Sequence, residues 1–93
     1  MIYLITYNIN TTYNDYTPLY EAIKLMGYSY KHPQESTWFI TTEKPMNTDW
    51  MMQELRRYLW ERDTIFIAEL RPQNNVQGWL SLDFWDWYKT NIK

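Results

Sequence analysis

The sequence predicts an α+β sandwich of β-α-β-β-α-β order, and three observations carry that prediction. Residues 1–9 read Met-Ile-Tyr-Leu-Ile-Thr-Tyr-Asn-Ile, a β-branched and aromatic run suited to a strand buried on both faces. Residues 35–42 and Thr64–Leu70 have the same character. Between these runs lie two stretches whose apolar side chains recur at helical spacing.

In chain order, the alternation of the first strand puts Ile2, Leu4, Thr6 and Asn8 on one face and Tyr3, Ile5, Tyr7 and Ile9 on the other. A polar loop follows. Thr17 offers a capping oxygen and Pro18 the preset φ of a first helical position, so a helix is predicted from there to Gly27, with Leu19, Ala22, Ile23 and Met26 on its buried stripe. A second strand is expected over 28–32 with Pro33 and Gln34 at the turn, and a third over 35–42. Asn47 or Thr48 caps a second helix to about Trp60, burying Met51, Met52, Leu55, Tyr58 and Leu59. Asp63 marks the turn into a fourth strand, Thr64–Leu70, read as buried on both faces. Residues 72–78 form a loop, 79–82 a short fifth strand, and Asp83 caps a last aromatic helix over 84–90. The six main elements make the split β-α-β arrangement of ferredoxin-like folds, followed by a C-terminal extension from about residue 79.

Both helices of that arrangement cover one face of the sheet. The other inherits either Ile2 and Leu4 or Tyr3, Ile5 and Tyr7, apolar surface that a monomer seldom exposes. A symmetric homodimer is therefore expected, with Ile2, Leu4, Trp79, Trp85 and Trp87 at the dimer or tail interface. The tail itself, with Phe84, Trp85, Trp87 and Tyr88 around most of its circumference, must dock on its own sheet or across the dimer.

A chain of 93 residues gives one domain with a thin core, which six Trp, nine Tyr and three Phe help to fill. Nine Lys and Arg against eleven Asp and Glu leave a net charge of −2, without the basic excess of a backbone-tracking nucleic-acid binder. Cysteine is absent, which excludes disulfides and thiolate chemistry. No leader pattern and no run of about eighteen apolar residues appears, so a cytoplasmic, soluble protein without a membrane partner is expected.

The chemistry-bearing residues are sparse. The single histidine, His32, has no Cys, second His or nearby nucleophile to make a zinc site or a triad, and reads as a hairpin residue. Two glycines in the whole chain exclude a phosphate-cradling loop. Asp15, Glu35 and Asp63 stand at strand ends without a metal-ligand spacing. Arg56, Arg57 and Arg62, with Lys44 and Lys31, make either a local basic patch or a solvated helix face.

The stretches Tyr3-Leu4-Ile5-Thr6-Tyr7-Asn8-Ile9, 16–27 with its closing Gly27, Glu35-Ser36-Thr37-Trp38-Phe39-Ile40 and Asp63-Thr64-Ile65-Phe66-Ile67 resemble the small SinR-like proteins of bacteria and phages. These are related in fold to the CRISPR-associated endoribonuclease subunit of spacer acquisition. The resemblance spans most of residues 1–90 and implies a ferredoxin-like homodimer. In the CRISPR-associated relatives the first strand ends in Tyr then Asp, and the paired Asp residues are proposed to hold a metal for phosphodiester hydrolysis. The matching positions here are Tyr7 and Asn8. An amide oxygen carries no charge, so the two formal negative charges that would hold the ion are lost.

The expectation is therefore a non-catalytic homodimeric module, by resemblance one of phage and host conflict. It would bind a protein or nucleic-acid partner through exposed aromatics, with Tyr7, Asn8, Tyr13, Trp38, Arg56 and Arg57 as the binding residues and no cofactor. The first alternative is a Mg²⁺-dependent nuclease acting through Asn8 with Asp15 and Asp63 in support. The second is a binder of a small nucleotide signal, in which Trp and Tyr stack on bases.

Overall fold

The β-branched and aromatic start of the chain forms β1 (Ile2–Asn8), paired antiparallel on both sides, with β3 (Thr37–Thr41) and β4 (Thr64–Leu70). The computed structural model describes residues 1–10 and 15–92. Its remaining elements are α1 (Thr17–Met26), β2 (Ser29–Gln34), α2 (Thr48–Arg56) and α3 (Leu82–Asn91). The result is an α+β fold with a four-stranded antiparallel sheet in the order β2-β3-β1-β4. No helix among the described residues is long and apolar enough to cross a membrane.

Two cores follow from the alternation of β1. Tyr3, Ile5 and Tyr7 join Trp38 and Ile40 on the face covered by Leu19 and Ile23 of α1 and Met51 and Leu55 of α2. On the opposite face Ile2, with Phe39 and Leu70 beside it, is packed under Phe84 and Tyr88 of α3. Of the two dockings open to the aromatic tail, the one seen here is on its own sheet. Ile2 is fully buried within a single chain, and Leu4 is half-buried.

Several boundaries differ from the sequence reading for identifiable reasons. Residues 79–81 form no strand, because Ser81 accepts a hydrogen bond from the Phe84 N–H at 3.1 Å and starts α3 at Leu82, earlier than an Asp83 cap would. Earlier in the chain, α2 is capped by Asn47, which accepts from the Trp50 N–H, but stops at Arg56 instead of Trp60. Tyr58 N–H to Leu55 and Leu59 N–H to Arg56 are i to i−3 bonds that tighten and end the helix. The hairpin turn sits at Glu35 and Ser36, so that Pro33 lies within β2 beside a register irregularity between Lys31 and Gln34. β4 is an edge strand and not buried on both faces: Phe66 is 63% exposed.

Gly27 ends α1, yet its backbone is extended (φ −115°, ψ 173°) and not left-handed. Its use here is close approach. A Cβ would stand 2.6 Å from the Thr41 carbonyl oxygen and 3.2 Å from the Ile40 Cβ, and that carbonyl also accepts from the Tyr28 N–H. Since backbone would have to move, Gly27→Ala is expected to cost about 1–3 kcal/mol, read as a lowered denaturation midpoint with unchanged slope.

Candidate functional site

At the end of β1, Asn8 is exposed and opposite Thr64, in a shallow groove with Thr6, Tyr7, Ile65 and Phe66. Asp15 and Asp63, the two carboxylates that the nuclease alternative sets in support of Asn8, are engaged elsewhere. Asp63 accepts from the Asn10 N–H (2.8 Å), the Tyr16 hydroxyl (2.7 Å) and the Trp60 N–H (2.9 Å), tying the strand end, the entry to α1 and the exit from α2 together. Asp15 accepts from the Thr17 N–H at 2.9 Å and holds the start of α1. Among the described residues no group of three or more His, Asp or Glu side chains converges as metal ligands would.

The hydrogen bonds on Asp63 set its acidity. Burial pushes the carboxyl up, but the N–H groups of Asn10 and Trp60 and the Tyr16 hydroxyl outweigh that and hold it below the usual range. A depressed folded pKa means stability that is complete above the unfolded value of about 3.9 and lost as pH falls through the lower folded value. Asp63→Asn is expected to cost about 2 kcal/mol near neutrality, from weakened charge-assisted bonds, and to flatten acid unfolding below about pH 4. Denaturant midpoints taken from pH 7 down to pH 2 check both.

Two of the anticipated binding aromatics are core residues. Tyr7 and Trp38 are buried, and the Trp38 Nε1–H donates to the Tyr7 hydroxyl at 3.0 Å, which in turn donates to the Glu35 carbonyl at 3.3 Å. Tyr20 stacks on both rings, and His32 lies flat on Trp38 with centroids 3.7 Å apart and its Nε2 at 2.8 Å from the Glu35 carbonyl oxygen. His32 is thus a stacked hairpin residue. Tyr13 lies outside the described residues.

The cations do not form one patch. Arg57 pairs with Glu54 at 3.3 Å on α2, whereas Lys31 pairs with Asp83 of α3, on the opposite face of the sheet. Arg56 and Trp60 line a groove of about 450 Å³ with Met52, Leu59 and Ile65. Of the tail residues, Trp87 donates to the Ser29 hydroxyl at 2.8 Å, Trp85 packs edge-on against Phe84 and Tyr88, and Trp79 is fully exposed.

What stands in solvent includes Leu25 and Trp50, which the sequence reading did not single out, and Tyr58, which it placed on the buried stripe of α2 but which lies past the end of that helix, 38% exposed. Leu25 (84% exposed), Trp50 (51%) and Tyr58 line a shallow groove between α1 and α2 with Met26 and Met46. Phe66 projects from the edge strand. Trp50 sits just off the Met51 and Leu55 stripe of α2, which a helical projection would have shown; Phe66 required the strand order. Comparison with protein-family models, curated proteins and solved structures found no match to this chain.

Proposed function

We propose that the chain is a non-catalytic homodimeric binding module with a ferredoxin-like sandwich, and that its exposed aromatics recognise a protein. One observation carries the recognition reading: Leu25, Trp50 and Trp79 each keep more than half their surface in solvent, and Leu25 and Trp50 share one groove. The order β2-β3-β1-β4, with α1 and α2 on one face, supports the ferredoxin-like assignment. Kinship with the SinR-like proteins is proposed on the sequence stretches around β1, α1, β3 and β4 alone.

A protein is favoured over nucleic acid because the net charge is −2 and two of the candidate cations are held in ion pairs. A non-catalytic role is favoured because Asn8 is a neutral amide and because Asp63 and Asp15 already serve backbone donors. Purified chain incubated with labelled RNA and DNA in Mg²⁺ is expected to leave both intact and unretained. Cleavage that disappears in Asn8→Ala would overturn the reading in favour of a nuclease.

A small nucleotide is the second reading, and the groove holding Arg56 beside the 58%-exposed Trp60 favours it, since a guanidinium and an indole suit a phosphate and a base. It requires a thermal shift with nucleotides that Trp60→Ala abolishes.

A further inference from the structure

The outer edge of β4 is open. β4 ends the sheet and pairs with β1 alone, and among the described residues no backbone bond of residues 64–70 leaves that ladder. Edge strands are usually blunted by Pro, Lys, charge or a bulge. The other edge, β2, carries Lys31, Pro33 and a register irregularity. In contrast, β4 reads Thr-Ile-Phe-Ile-Ala-Glu-Leu, and its one charge, Glu69, is held by its own Arg71 at 2.7 Å and by the Tyr3 hydroxyl at 3.3 Å.

Resting on the homodimer reading above, we propose that two copies join by antiparallel pairing of β4 with the partner's β4, about a twofold axis through Ile67, giving a continuous eight-stranded sheet. A twofold perpendicular to the sheet keeps each face on its own side, so only residues of equal parity can oppose one another. Centring on Ile67 sets Phe66 against the partner's Ala68, large on small. Ile65 then meets the partner's Glu69, whose charge is already paired within its own chain. Centring one residue earlier, on Phe66, sets the two phenyl rings on one spot, large on large. One residue later, on Ala68, Phe66 meets the partner's Leu70, again large on large. Size selects Ile67, the one of the three registers that sets Phe66 against a small residue. The same pairing brings the 63%-exposed Phe66 ring under cover.

Because the chain has no cysteine, introduced thiols report only their own neighbours. Phe66→Cys and Ala68→Cys are made separately in the full chain, then oxidised alone and as a one-to-one mixture. Directly opposed strand residues have Cα atoms about 4.5–5.5 Å apart, within reach of a disulfide, whereas positions two residues out of register are not. The expected result is a covalent dimer at least tenfold more abundant in the mixture than in either variant alone. Equal cross-linking of Phe66→Cys alone overturns the register. Absence of cross-links from a chain whose molar mass is that of a dimer overturns the edge pairing and leaves the homodimer reading intact. A monomeric mass for the unsubstituted chain removes both.

Discussion

Phe84→Ala is expected to lose about 3–5 kcal/mol of stability, a large share of the roughly 5–15 kcal/mol that a domain typically has. Phe84 is 2% exposed and is the centre of the second core, with ring centroids 4.8 Å from Phe39, 5.2 Å from Trp85 and 6.0 Å from Tyr88. Its removal leaves a cavity over Ile2 that α3, ten residues long, cannot close without sliding on the sheet. Because this contact lies within one chain, the loss should be the same at every protein concentration. A loss that grows on dilution would place α3 between copies instead. Removal of residues 82–93 should go further, uncovering Ile2, Phe39 and Leu70 together and producing aggregation.

Trp38→Ala should be comparably severe, at about 3–5 kcal/mol, for a different reason. Trp38 supports Tyr20, Tyr30 and His32 by ring contact and donates its N–H to Tyr7, so one truncation empties the first core and strips a buried acceptor of its donor. Tyr7→Phe separates the two effects: it leaves the packing and removes the hydroxyl, for about 1–2 kcal/mol. It also carries a pH signature. Burial pushes the Tyr7 hydroxyl up to about 12, against the hydrogen bond from Trp38, so the folded chain favours the neutral phenol. A raised folded pKa means stability that is complete below the unfolded value of about 10 and lost as pH rises from there through 12. Part of the alkaline destabilisation in that window should therefore vanish in Tyr7→Phe, as followed by denaturant midpoints at each pH.

These expectations show which parts of the molecule were legible as sequence. The strand over Ile2–Asn8, the Leu19 and Ile23 stripe of α1, the Met51 and Leu55 stripe of α2 and the Asn47 cap follow from local patterns, because period and capping chemistry act over a few residues, whereas Thr17, expected to cap α1, is its first helical residue and makes no side-chain cap. Strand burial does not follow from local pattern. Phe66 sits in as apolar a run as Ile5, and only the strand order puts one at an edge and the other at the centre. The candidate site suffered most from this non-local dependence. Tyr7 and Trp38 look like recognition aromatics until β1 and β3 are paired and α1 is laid across them, whereas Tyr58 looks like core until α2 is seen to stop at Arg56. Asp63 gave no sign of its three donors, since Asn10, Tyr16 and Trp60 reach it from separate segments. The tail was the reverse case: its aromatic circumference said that it must be covered, and the fold supplied the cover from the chain's own sheet.

With α3 occupying the Ile2 end of the second face, the case for a homodimer rests on the open β4 edge and on exposed Phe66. Light scattering on the unsubstituted chain at micromolar concentration tests it most directly. A molar mass of twice the 11.6 kDa subunit is the predicted result; a stable 11.6 kDa species across that range would contradict it.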